Sequence, residues 1–171
     1  MEETGIIRRL DALGRIVIPR EFRKLNRIEV GDPLEMRAHD SGEIVIRKVD
    51  IASQLKSVGS MAIDALSEKT DKLIGVCSTD RWLEFSSKCK FSGEDLPEKI
   101  ASAVTKQKST VIKSGEDAEQ AVTKYVAIYP VYGDTGSFGA FALFSDSEPS
   151  SDEKNLFETM ALFTGKSLQK F

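Results

Sequence analysis

A proline stands directly behind three β-branched residues, in the order Ile16, Val17, Ile18, Pro19, and this junction constrains the start of the chain more than any other feature. The β-branched run favours a strand, and a residue without an N–H cannot continue that strand inside a ladder but is tolerated where a helix begins. Arg20, Glu21, Phe22, Arg23, Lys24 and Leu25 then propagate a helix well. Upstream, Ile6 and Ile7 form a second apolar strand, separated from the first by a turn carrying Asp11 and Gly14. The expected order is strand, turn, strand, short helix.

Charge is concentrated on that framework. Between Arg8 and Arg27 there are seven Lys or Arg against two acids, although the 171-residue chain carries a net charge of -3 and has a pI of about 5.4. Eight of the nine arginines precede residue 50 and only Arg81 follows it, which marks a boundary between an arginine-using domain and an acidic remainder. A compact basic patch on a small β framework is the electrostatic footprint of a nucleic-acid binder. Guanidinium groups take phosphate oxygens in a bidentate way and also read guanine in the major groove.

The string TGIIRRLDALGRIVIPREFRK, from Thr4 to Lys24, closely resembles the DNA-binding half of AbrB-type transition-state regulators, the swapped-hairpin fold. The resemblance implies a homodimer of interleaved hairpins that binds double-stranded DNA. It also implies DNA contacts from Arg8, at the end of the first strand, and from Arg15, after the turn. Arg23 and Lys24 match a basic pair on the short helix, and Arg9 matches a basic position. Arg20 has no counterpart in the resemblance and joins the set on charge alone. Arg27 stands where many members have a helix-ending glycine, so the helix must stop another way; Asn26 tolerates the left-handed conformation.

The connector Ile28 to Pro33 leads to two further strands, Leu34 to Ala38 and Glu43 to Lys48, around the Asp40-Ser41-Gly42 hairpin turn. Four strands and one helix in about 50 residues bury too little surface to be comfortable alone, which again favours a dimer. From Ile51 to Lys69, Ile51, Leu55, Val58, Ala62 and Leu66 form a helical stripe, widened by Met61 and Ile63, with Gly59-Ser60 as a point where a bend is possible.

Beyond this linking helix the expected elements are strands at 72–78 and 82–85, a helix capped by Ser92, and a strand at 110–113. A second SGED tetrapeptide at Ser114 follows, then strands at 125–132 and 138–144 joined by a loop at 133–137. A final helix starts with a capping box from Ser150 to Glu153 and buries Leu156, Phe157, Met160, Ala161, Phe163, Thr164 and Leu168. This order resembles a GAF domain, a sheet with helices on one side that commonly senses a small molecule. The resemblance implies that its first and last helices pair with a partner's, making a tetramer overall. Candidate pocket residues are Trp82, Phe85, Phe91, Tyr125 and Tyr129, although aromatic side chains in strands more often form core. The NKFDE pattern of cyclic-nucleotide-binding members is missing, and no effector is named.

The expected fold class is therefore α+β, with a dimeric swapped-hairpin β-barrel over residues 1–50, a linking helix over 51–70 and a GAF-like regulatory domain over 71–171. No metal site, disulfide framework or cofactor is expected: Cys77 and Cys89 form no CxxC, and His39 is a lone histidine. GxSxG, GxxxxGK[ST], GxGxxG and HExxH are all missing, so catalysis is not expected. Glu2 and Glu3 at the N-terminus and the want of a long apolar run predict a cytoplasmic, nucleoid-associated protein without a membrane span. The expected function is a DNA-binding transcription regulator, activating and repressing late forespore sporulation genes. Two alternatives are an antitoxin that also neutralises a partner protein, and a sensor whose arginine face binds an acidic protein.

Overall fold

The computed structural model describes residues 5–32, 34–113, 123–134 and 136–169, and the chain divides into two units, Met1–Val49 and Asp50–Phe171. Thr4, Pro33, the second SGED at Ser114 and Thr135 lie outside the described residues.

In the first unit, helix α1 (Arg20–Leu25) starts at Pro19 as expected, with Glu21 in its first turn and Arg23 and Lys24 in its last, the arrangement that complements the helix dipole. Strands β1 (Leu34–Ala38) and β2 (Ile44–Lys48) pair antiparallel, with Met36 opposite Ile46. Gly42, at φ 86°, takes the left-handed conformation that their turn requires. Ile6-Ile7 and Ile16 to Ile18, expected as two more strands, carry no ladder among the described residues. Around their turn Asp11 N–H donates to the Arg15 carbonyl at 3.0 Å and Gly14 N–H to the Asp11 carbonyl at 3.0 Å, but the pairing does not spread along the arms. A strand exists only through its partner, and these arms leave Ile7 93% and Val17 76% exposed.

The left-handed residue that stops α1 is Arg27 rather than Asn26. Arg27 takes φ 52°, and Asn26 stays at φ -98°. Ile28 N–H reaches back to the Arg23 carbonyl at 2.8 Å and Arg27 N–H to the Lys24 carbonyl at 3.2 Å, which together form a Schellman motif with an arginine in the glycine position.

The second unit is a five-stranded antiparallel sheet in the order β4 (Trp82–Phe85), β3 (Leu73–Cys77), β7 (Gly136–Ser145), β6 (Tyr125–Gly133), β5 (Thr110–Lys113). Strands β6 and β7 extend to Gly133 and Gly136, so their loop is shorter than expected. Alternation along the strands divides the core in two. Val76, Ala127, Tyr129, Phe141 and Leu143 pack with helices α2 (Ile51–Ser67) and α4 (Ser151–Leu168), whereas Val126, Ile128, Ala142 and Phe144 pack with α3 (Glu98–Thr105). The helices therefore cover both faces of the sheet, not one.

Helix α2 runs unbroken through Gly59. That glycine serves a close approach to β3, since a Cβ there would lie 2.9 Å from Val76 Cγ2. Met61, expected in the buried stripe, is exposed, as is Phe163 on α4. The Ser150–Glu153 capping box forms as read. The SGED at Ser92 does not start a helix: Gly93 has φ 85°, Trp82 N–H donates to the Glu94 carbonyl at 2.8 Å, and Gly93 N–H donates back to Trp82 at 2.9 Å. This edge pairing occupies 92–95, and α3 begins only after Pro97.

Candidate nucleic-acid interface

The turn between the two N-terminal arms is organised by one carboxylate. Asp11 Oδ1 accepts from the backbone N–H groups of Leu13 and Arg15, each at 2.9 Å, and Oδ2 accepts from Arg15 Nε at 2.7 Å. The Arg15 backbone N–H, followed by its guanidinium, holds the Asp11 carboxyl below the usual carboxylate range. Gly14 closes the turn at φ 74°. Asp11 is the expected turn former, and an aspartate three residues before a glycine is the signal for such a turn; its hold on Arg15 is visible only in the fold.

The ten basic residues of the unit separate into two sets. Arg37 and Arg47 both donate to Glu35, the first at 2.7 Å; Lys48 lies 2.7 Å from Asp32 and also donates to the Arg27 carbonyl at 3.0 Å; and Arg15 pairs with Asp11. Arg8, Arg9, Arg20, Arg23, Lys24 and Arg27 have no carboxylate partner among the described residues. All six lie between positions 8 and 27, the stretch singled out by charge. Five of them are exposed. Arg23 is half-buried, and its Nε is closed off from solvent without a hydrogen-bond partner.

No described residue of the first unit is buried. Ile7, Leu10, Leu13, Val17, Leu25 and Val30 are each more than half exposed, and a cleft of about 510 Å³ is lined by Ile6, Ile16, Ile18, Phe22, Ile44 and Ile46. A unit with this much aliphatic surface and no enclosed side chain gains little from folding by itself.

The second unit separates the five aromatic candidates. Trp82, Phe85 and Phe91 lie in the core beneath α3, where Trp82 meets Phe85 at 5.1 Å and Phe144 at 5.6 Å between ring centroids. Tyr129 is on the opposite face, 5.1 Å from the Phe157 ring, and Tyr125 is half-buried at the start of β6. They do not line one cavity. Among the described residues no group of three or more His, Cys, Asp or Glu is placed to hold a metal ion, and no helix is long and apolar enough to cross a membrane.

Comparison with known proteins agrees with this division. A family model described as "Antidote-toxin recognition MazE, bacterial antitoxin" matches residues 7–53. Stage V sporulation protein T of Bacillus subtilis is 29% identical over 99% of this chain and 100% of its own length. Transition state regulatory protein AbrB of the same organism is 35% identical over 43% of this chain and 76% of its own. Among solved structures, the second GAF domain of DevS from Mycobacterium smegmatis superposes with a TM-score of 0.54 at 11% identity, covering 71% of this chain and 94% of that one.

Proposed function

The chain belongs to the AbrB family of transition state regulators, and from that premise we propose that it grips duplex DNA through Arg8, Arg9, Arg15, Arg20, Arg23 and Lys24, presented by a swapped-hairpin dimer of its first unit. It is accordingly a regulator rather than an enzyme, and its second unit has the GAF fold. The observation that carries the proposal is the coincidence of two surfaces in residues 5–49: seven cations between Arg8 and Arg27, all but Arg15 without an acidic partner among the described residues, and an aliphatic surface with nothing enclosed. Pairing two copies encloses the aliphatic surface and sets two copies of the cationic one about a twofold axis, as a symmetric operator requires.

The likeness to Stage V sporulation protein T along nearly the whole chain supports a role at late, forespore sporulation genes, activating some and repressing others, in the cytoplasm at the nucleoid. The second unit adds assembly, to a tetramer through α2 and α4, and the sensing of a small molecule. Exposed Met61 and Phe163 on those helices support the assembly role.

Fluorescence anisotropy with promoter and scrambled duplex at 50 and 200 mM salt tests the proposal. With six to ten phosphates neutralised per dimer, affinity falls by roughly 10³ to 10⁵ between the two salt concentrations. Arg15→Ala and Arg23→Ala each weaken binding by roughly ten- to hundredfold while the dimer persists. Retention of full affinity by both variants rejects the interface.

The MazE match favours a second reading, an antitoxin whose DNA binding accompanies capture of a toxin. Residues 51–171 fold around their own core instead of forming a short disordered tail, which favours the regulator. Co-purification of a stoichiometric protein partner with the full chain would reverse that order.

A further inference from the structure

On the α4 side of the second unit's sheet, a cavity of about 380 Å³ is lined by Gln107 and Lys108 after α3, Tyr129 and Tyr132 on β6, and Glu158 and Leu162 on α4. Two observations there have no structural explanation. Tyr129 is 1% exposed, yet its hydroxyl has no hydrogen-bond partner. Buried polar groups are almost always paired, so an orphaned hydroxyl beside a cavity points to a partner from outside the chain. Lys108 and Glu158, of opposite charge, line the same cavity, and neither has an ion-pair partner among the described residues.

We propose that this cavity binds a free amino acid with an apolar side chain. Lys108 meets the carboxylate, Glu158 meets the ammonium, and the walls of Tyr129, Tyr132 and Leu162 enclose the side chain. The volume lies in the range of small-molecule pockets, and the lining sets polar and charged groups beside apolar ones in nearly equal measure, as a zwitterion with an apolar side chain requires. Burial, aided by the charges of Glu153 and Glu158, pushes the Tyr129 hydroxyl up to about 12, so it stays protonated and donates to a ligand oxygen. The site lies across the sheet from Trp82, Phe85 and Phe91, whose packed core leaves them as structural aromatics. It deepens the sensing role proposed above and does not depend on DNA binding: an amino acid could bind whether or not the arginines grip a duplex.

Titration calorimetry on the full chain tests it with L-leucine, L-phenylalanine, N-acetyl-L-leucine, which lacks the ammonium, and L-leucinamide, which lacks the carboxylate. At least one of the two amino acids should bind, and the two leucine derivatives should bind roughly ten- to hundredfold more weakly than leucine. Lys108→Met and Glu158→Gln should weaken binding to the same degree. Tyr129→Phe removes only the unpartnered hydroxyl, so it should keep the fold and lose roughly three- to tenfold in affinity. Heat from neither amino acid at about 10 mM overturns the proposal, as does equal binding of the derivatives or unchanged affinity in all three variants. Anisotropy on the same samples reports DNA binding separately, so failure of one reading leaves the other measurable.

Discussion

Arg15 is held across its own turn by Asp11, with Nε 2.7 Å from Oδ2, while the other oxygen of the same carboxylate ties down two backbone N–H groups. An acid inside a DNA-binding patch would ordinarily repel phosphate. Here it shapes the loop that presents the arginine.

The first prediction follows from that pair. Asp11→Ala makes the patch more positive, yet it should weaken duplex binding roughly tenfold, because the turn and the guanidinium lose their common anchor. An affinity that rises in anisotropy at low salt would mean that charge alone governs binding. The sign of the pH effect is set by the lowered folded-state pKa of Asp11. Its contribution is complete above the unfolded value, near 3.8, and is lost as pH falls through the lower folded one. An NMR titration of the Asp11 carboxyl should therefore show a midpoint below 3.8.

Arg27 occupies the left-handed position of a Schellman motif where glycine would be free of strain. Arg27→Gly should stabilise the first unit by about 0.5–1 kcal/mol, the relief of a side chain in that region less the added entropy of the unfolded chain. The urea midpoint of the full chain's first transition measures it, and a fall in that midpoint would contradict the assignment of strain.

Helix α4 approaches β6 through Gly165, where a Cβ would lie 2.3 Å from the Tyr132 carbonyl oxygen. Backbone cannot give way as a flexible side chain can. Gly165→Ala should thus destabilise the second unit by about 1–3 kcal/mol or more, read as a lower urea midpoint. At Gly93 a Cβ meets nothing within 4 Å, so Gly93→Ala should cost only about 1 kcal/mol through its positive φ.

The two cysteines should differ in reactivity. Cys77 is fully buried; burial pushes its thiol up to about 12, and its Sγ donates to the Ala140 carbonyl at 3.6 Å. It stays a neutral thiol at any ordinary pH. A thiol reagent at pH 8 should modify one group per native chain, Cys89, and two after denaturation. Rapid reaction of both in the native state would show that the sheet opens at β3.

What the sequence reached by itself was local. Pro19 set the start of α1, Gly42 set the β1–β2 turn, and Ser150 with Glu153 set the start of α4, because turns and caps depend on residues three or four apart. The AbrB-like string and the arginine asymmetry were legible for the same reason, being contiguous in the chain. The SGED at Ser92 misled because an adjacent strand edge captured its backbone before a helix could form, and no local pattern shows such a competitor.

The amino-acid order alone thus determined where α1, α4 and the β1–β2 turn begin and which stretch carries excess positive charge. Only tertiary structure decided which charges remain free: Glu35 takes up Arg37 and Arg47, twelve positions from the latter, and the basic residues between 8 and 27 other than Arg15, which Asp11 holds, keep no carboxylate partner among the described residues. It likewise decided that α3 lies across the sheet from α2 and α4, and that Tyr129, Lys108 and Glu158 share a cavity. Ion pairs, sheet faces and cavities are relations among residues distant in sequence, set by which surfaces exclude water together, and only the folded chain brings those surfaces into contact.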